Sequence, residues 1–171
     1  MISTGENKVS IIVPCFNEKD TIKIVIEKIY NKELNNFEVV IVDDNSTDGS
    51  KIIIEKLKNN FSNIHTVYHE QNFGKGRAIK NGIIKSTGDI ILIQDADLEY
   101  DPNDYEKLIE PFIKYNADVV YGSRFIGGNG PKRLHFFWHT VANKILTLLA
   151  NIFTNLNMTD METGYKVFKK K

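Results

Sequence analysis

Apolar positions along this chain fall into short blocks that alternate between two periods. Val9-Ser10-Ile11-Ile12-Val13 is a β-branched run closed by Pro14, and it predicts a buried strand. From Lys19 to Lys32 the residues Ile22, Val25, Ile26 and Ile29 recur at helical spacing and form one stripe. Phe37 to Val42 predicts a second strand. It runs into the polar turn Asp43-Asp44-Asn45-Ser46-Thr47-Asp48-Gly49, which can cap a helix over about 49–60 with Ile52, Ile53 and Leu57 turned inward. Ile64 to Tyr68 is a third strand, Gly74 to Ser86 a third helix, and Asp89 to Gln94 a fourth strand. That fourth strand is nearly all apolar, as a central parallel strand is. Pro102 and Asn103 open a helix to about Tyr115, and Asp118 to Tyr121 is a fifth strand. Strict strand–helix alternation predicts an α/β fold, a mostly parallel sheet with helices on both faces.

Past Tyr121 the pattern changes. A glycine-rich basic loop, Ile126 to Arg133, precedes a long helix over Leu134 to Phe153, and Tyr165 to Phe168 predicts a last strand. Apolar residues spread around much of the long helix. A core or dimer helix fits this pattern. A helix lying in a membrane interface fits equally, with Trp138 near headgroups and Lys132 and Arg133 facing anionic lipid.

The chain has 171 residues, enough for one domain with a real core. Its 22 basic and 22 acidic residues balance, which argues against general nucleic-acid binding. The single cysteine, Cys15, excludes an intrachain disulfide and suits a reducing, cytoplasmic compartment. The first eight residues lack a signal-peptide core, and no stretch has the apolar length of a membrane span.

In an open parallel sheet, ligands sit beyond the carboxyl ends of the strands. Four such ends are polar: Pro14-Cys15-Phe16-Asn17-Glu18, Asp43-Asp44, Asp95-Ala96-Asp97 and Gly122-Ser123-Arg124. Asp95 and Asp97, two apart in extended backbone, point the same way. Such a pair with phosphate oxygens suits Mg2+ or Mn2+; a solvated turn with incidental aspartates explains the bare motif as well. Asp44 can face a ribose or base while Ser46, Thr47 or Asp48 caps the helix. Asn72-Phe73-Gly74-Lys75-Gly76-Arg77-Ala78 has Ile79 where a dinucleotide motif has its third glycine, so it is not that motif. Arg124 can grip phosphate in a two-pronged way, and Lys132 and Arg133 can reach a second phosphate. His65, His69, His135 and His139 form no metal set: His135 and His139 are one turn apart, but Phe136 stands where a zinc protease has glutamate. Cys15 reads as a buried thiol.

Taken together, Val9 to Glu18, Val42 to Gly49, Asn72 to Gly76 and Asp95-Ala96-Asp97 resemble the successive motifs of glycosyltransferase family 2. Gly122-Ser123-Arg124-Phe125 is similar to the branch of dolichyl-phosphate mannose synthase and polyprenyl-phosphate sugar synthases. The resemblance implies a single GT-A, Rossmann-like catalytic domain over 1–171. It implies inverting, metal-dependent transfer from a UDP- or GDP-sugar to a polyprenyl (dolichyl-type) phosphate at the cytoplasmic membrane face. The alternatives are a soluble transferase acting on a glycan precursor and a catalytically weak nucleotide-sugar-binding fragment. By position, Pro14, Phe16, Glu18, Val42 and Asp44 would line the nucleoside pocket. Asp95 and Ala96 would contact the nucleotide, and Asp97 would bind the Mg2+ or Mn2+ that bridges the diphosphate. Arg124 would face the phosphates. Glu99 stands where mannose synthases carry Gln, at the donor-sugar contact. Thr159 to Lys166 is similar to the branch's acceptor-side motif. Relatives continue past Lys171, so the domain is expected to be cut short at its C-terminus.

Overall fold

The computed structural model describes residues 4–123 and 136–170. Among these residues six strands, β1 (Val9–Cys15), β2 (Phe37–Asp43), β3 (Ile64–Tyr68), β4 (Ile90–Ile93), β5 (Val119–Tyr121) and β6 (Lys166–Lys169), form one sheet in the order β3-β2-β1-β4-β6-β5. β1 pairs in parallel with β2 and β4, and β2 with β3, while β6 runs antiparallel between β4 and β5. Five helices connect them: α1 (Ile22–Tyr30), α2 (Ser50–Asn60), α3 (Lys75–Lys85), α4 (Tyr105–Lys114, entered through a 3-10 turn at Pro102–Asp104) and α5 (Phe137–Thr154). The mostly parallel α/β architecture expected from the alternation is what forms.

β1 is buried on both sides, which is why it reads as a continuous apolar run. Val9, Ile11 and Val13 join the larger core with α1, α2 and α4, while Ile12 joins Val40, Val42, Ile91 and Ala78 of α3 on the other face. α3 packs very close to the sheet. A Cβ on Gly82 would stand 2.4 Å from Ile12 Cγ2, so only glycine fits there.

Two helices differ from the expected pattern. In α2, Ser50, Ile54 and Leu57 face the core and Ile52 faces solvent. Ser50 is fully buried, and Ile52 lies roughly 200° around the helix from it at 100° per residue. α1 starts at Ile22, not Lys19, and the N–H groups ahead of it find acceptors in the neighbouring loop. Asn17, Glu18 and Lys19 donate to Ser46 Oγ, Ser50 Oγ and Asp48 Oδ2, stitching the loop after β1 to the loop after β2.

α5 is turned inside out for a water-facing helix. Its buried residues are polar, Asn143 and Thr147, and Phe137, Trp138, Ile145, Leu148, Ile152 and Phe153 are exposed. Asn143 donates to Asp160 Oδ1 at 2.7 Å, Thr147 Oγ1 accepts from Met161 N–H, and Asn151 exchanges two bonds with Met158. The polar face is thus held by the 158–161 segment.

The amino end of the sheet carries a closed polar cluster. Glu38, almost fully buried, accepts from Lys8 Nζ, Ser10 Oγ, Thr87 N–H and Thr87 Oγ1 at 2.5–2.7 Å. Burial alone would raise its pKa, but these donors outweigh burial and hold it at about 2.

Candidate active site

The chain runs outward from β1 through β2 to β3, then returns to place β4 on the other side of β1. The crevice beyond β1 and β4 is therefore the switch point of the sheet, where such folds bind ligands. A cavity of about 260 Å³ lies there. Of the residues expected from the sequence, Pro14, Phe16, Glu18, Asp44, Asp95, Ala96 and Asp97 line it, as do Cys15, Asn72, Gly74, Lys75 and Ala78.

Other expected residues stand elsewhere. Val42 is fully buried in the smaller core beneath the cavity, because its side chain alternates toward α3. Glu99 is exposed beside the cavity, and its N–H donates to Asp97 Oδ1 at 3.0 Å. β5 lies at the sheet edge with β6 between it and β4, and among the described residues three of the four polar strand ends meet in the wall. Arg124, Lys132 and Arg133, together with Leu134 and His135, lie outside the described residues.

Asp44 is the most firmly held carboxylate in the wall. Oδ1 accepts from Phe73 N–H (2.9 Å) and contacts His69 Nδ1 (2.6 Å), and Oδ2 accepts from Gly74 N–H (2.7 Å). Burial raises its pKa, but the bonds from Phe73, His69 and Gly74 outweigh this and hold it below the usual carboxylate range. His69 is itself nearly buried, and its Nε2 lies 2.8 Å from Asn81 Nδ2 of α3. With the Asn81 amide donating to Nε2, the Nδ1 side of His69 is left to donate to Asp44. His69 is therefore more than an incidental polar residue. The parallel pairing of Asp43 with Tyr68 carries the next pair, Asp44 and His69, to one place.

Asp95 and Asp97 leave β4 over a buried polar hub. Gln94 Oε1 accepts from Tyr105 Oη (2.8 Å) and Tyr165 Oη (3.0 Å), and Gln94 Nε2 donates to the Asp95 and Tyr100 carbonyls. Burial holds both phenols far above their ordinary range, so they remain donors. Leu98 follows at φ +65°, a left-handed conformation that costs a branched residue about 1–3 kcal/mol and concentrates at functional sites. Gly164, from the segment before β6, sits against Asp95. A Cβ there would stand 2.7 Å from Asp95 Oδ2 and 2.4 Å from Tyr100 Cε2, and Gly164 N–H donates to Tyr100 Oη. The Thr159 to Lys166 motif is thereby brought to the edge of the acidic triplet. Across the cavity, Lys75 Nζ pairs with Asp95 Oδ1 at 2.6 Å.

Cys15 is a buried thiol pushed up to about 12 by burial and by neighbouring Asp43 and Glu18, so it is no nucleophile at neutral pH. Among the described residues no three His, Cys, Asp or Glu side chains are grouped to hold a metal by themselves. Two carboxylates, with further ligands from phosphate oxygens, are the usual mode for Mg2+ and similar hard ions, so Asp95 and Asp97 fit such an ion.

Comparison with known proteins agrees with this geometry. The profile described as Glycosyl transferase family 2 matches residues 10–171. Dolichol-phosphate mannosyltransferase of Pyrococcus furiosus is 30% identical over 131 residues, covering 76% of this chain and 37% of that protein. UDP-N-acetylglucosamine–dolichyl-phosphate N-acetylglucosaminyltransferase of Methanococcus voltae is 30% identical over 183 residues, covering 97% of this chain and 71% of that protein. The mannosyltransferase PcManGT of Pyrobaculum calidifontis, solved with GDP-Man and Mn2+, superposes with a TM-score of 0.62 at 26% identity over 69% of this chain and 36% of that one. The chain thus spans from about a third to about seven tenths of the length of these relatives. With the profile match running through every wall of the cavity, this chain belongs to glycosyl transferase family 2.

Proposed function

We propose that this chain transfers a sugar, with inversion, from a UDP- or GDP-sugar to a polyprenyl phosphate, using Mg2+ or Mn2+. The observation that carries the reading is one cavity at the switch point lined by Asp44 together with Asp95 and Asp97. A carboxylate for the nucleoside and a carboxylate pair for a metal–diphosphate thus share one cavity. The names of the relatives, which specify dolichyl phosphate, and the GDP-Man and Mn2+ of the Pyrobaculum complex support the same substrates.

Each group has a defined task. Asp44, ionised and held by backbone N–H groups, accepts hydrogen bonds from the nucleoside. Exposed Phe16 offers a ring against its flat face. Asp97 would hold the metal, which would supply charge to offset that growing on the leaving oxygens, and Asp95 beside it would contact the nucleotide. Glu18, fixed by Thr21 Oγ1, closes the cavity beside β1. A phosphate acceptor is already ionised near neutral pH, so its attack needs alignment rather than a strong base. Arg124, Lys132 and Arg133 are proposed for the donor and acceptor phosphates, and Glu99 for the sugar.

α5 favours a lipid acceptor over a soluble glycan. Its exposed Phe137, Trp138, Ile145, Leu148, Ile152 and Phe153 would lie in the interface of a bilayer, with its polar face held by the 158–161 segment. No helix among the described residues is long and apolar enough to cross a membrane, so this is contact along the surface. A lone buried thiol suits the cytoplasmic side. The test offers labelled UDP- and GDP-sugars with polyprenyl phosphate in anionic vesicles and follows label into lipid extract. Transfer that falls when Trp138 and Phe153 are both changed to Ser is expected. Donor hydrolysis without lipid labelling would refute the lipid acceptor.

A further inference from the structure

Gln94 stands between β4 and the acidic triplet. It is fully buried, and its backbone N–H donates to the Ile12 carbonyl of β1 at 3.0 Å, so its side chain works from a fixed base. Oε1 accepts from the Tyr105 and Tyr165 hydroxyls at 2.8 and 3.0 Å. Nε2 donates to the Asp95 and Tyr100 carbonyls at 3.0 and 3.3 Å. Two lone pairs and two N–H groups are all that such an amide has, so its capacity is fully used. Carbonyls only accept. The NH2 group must therefore face them, and the oxygen must face the phenols.

The two carbonyls bracket residues 96–99. One buried NH2 group thus ties together both ends of the turn that carries Asp97. Between the ties Asp97, Leu98 and Glu99 are exposed, and Leu98 holds φ +65°. A branched residue keeps that conformation only where its surroundings impose it. Asp97 Oδ1 accepts from Glu99 N–H, which shapes the turn from within, and Gly164 N–H donates to Tyr100 Oη at the far end. The Gln94 amide ties that far end back to the end of β4.

A turn already set in place loses little freedom when ligands bind, and a loose one loses more. We propose that Gln94 is a positioning residue, whose NH2 group presets the turn on which Asp97 would hold the metal ion. This inference rests on the reading of the cavity as a metal and nucleotide-sugar site. It gives a role to a residue that the sequence marks only as the end of a strand.

Gln94→Met fills similar space and removes both donors. Tyr105→Phe combined with Tyr165→Phe removes the phenols and leaves the NH2 group on its carbonyls. UDP and GDP are titrated into each full chain with and without Mn2+ by calorimetry, and near-UV circular dichroism and thermal unfolding report folding. Gln94→Met should lose about tenfold of the Mn2+-dependent gain in affinity, while its metal-free affinity stays within about threefold of wild type. The double Phe variant should melt at a lower temperature than wild type and keep the gain within about threefold. An undiminished gain in Gln94→Met, or an equal loss of gain in the Phe variant, would make Gln94 a packing residue and overturn the proposal. Should Gln94→Met not fold, Gln94→Glu, which still offers both phenols an acceptor, is read by the same titration with the same expected loss.

A second readout needs no ligand. Exposed Gln71 is the one other glutamine of the chain, so a glutamine-labelled 15N spectrum separates the two side-chain amides. The Gln94 NH2 group should exchange with water at least about tenfold more slowly than that of Gln71. Equal exchange overturns the tie. If Gln94 exchanges slowly and wild type shows no Mn2+-dependent nucleotide binding, the reading of the cavity has failed, and the tie stands without the metal role assigned to it.

Discussion

Glu38 and Asp44 stand at opposite ends of β2, both buried and both held below the usual carboxylate range. They are satisfied in different ways. Around Glu38 the donors come from Lys8, just before β1, from Ser10 of β1 and from the turn before β4, and the carboxylate itself is almost wholly buried. Around Asp44 the donors are backbone N–H groups of the loop before α3 and the His69 ring, and the carboxylate still forms part of a cavity wall. One carboxylate is wholly used in joining strands. The other is preset and left able to accept more. Asp95, paired with the exposed Lys75, also lines that cavity. The same residue chemistry thus closes the amino end of the sheet and lines the proposed donor cavity at the carboxyl end.

Removing Glu38 should give the largest effect on folding. Glu38→Ala leaves Lys8, Ser10 and Thr87 facing an unpaired gap and is expected to cost about 3–5 kcal/mol in urea unfolding. Nucleotide affinity of the folded fraction should not change. Acid should reproduce part of this in wild type. Glu38 has a folded pKa of about 2 against an ordinary 4.5, so its contribution is complete above about pH 4.5 and fades as pH falls toward 2. The amount is about 3 kcal/mol at most. Unfolding free energy measured against pH should show that loss in wild type and not in Glu38→Gln.

Asp44→Asn should reverse the balance. Loss of a charged acceptor costs about 1.5–3 kcal/mol, or roughly 10- to 100-fold in donor affinity by calorimetry, with a smaller loss of stability than Glu38→Ala. Because Asp44 is held low, donor binding by wild type should not decline through this group between pH 7 and 5. Gly164→Ala should cost about 1–3 kcal/mol, because the new Cβ must displace Asp95 or Tyr100. The metal-dependent part of donor binding should fall with it. His69→Phe keeps a ring against Phe73 and removes the donor to Asp44, so donor affinity should drop about tenfold. His69→Asn, whose amide can replace Nδ1–H, should restore most of it; failure to do so would make His69 a packing residue only.

Much of this contrast could be read in the sequence, and the unread part has physical causes. The β-branched runs of β1, β2 and β4 announced buried parallel strands, and the polar residues ending them announced the cavity. Glycosyltransferase family 2 followed from their order. Sequence could not say that β6 inserts between β4 and β5, since that pairing joins Ile91 to Phe168 across most of the domain. For the same reason Gly164 gave no sign of its contact with Asp95. His69 lay closer to view: in a parallel pair the residue after β3 must fall beside the residue after β2. The helix after the basic loop had an apolar pattern open to core, dimer or interface. What distinguishes it is its inward polar face, Asn143 and Thr147, whose partners lie at Asp160 and Met161.

The central claim is that Asp97, beside Asp95, holds a metal that binds with a nucleoside diphosphate. Calorimetric titration of UDP and GDP into wild type and Asp97→Ala, with and without Mn2+, tests it most directly. One nucleotide should bind wild type at least tenfold more tightly with Mn2+ than without it, a gain of about 1.4 kcal/mol. In Asp97→Ala that gain should vanish while the metal-free affinity stays. Equal Mn2+-dependent binding by Asp97→Ala and wild type would contradict the account.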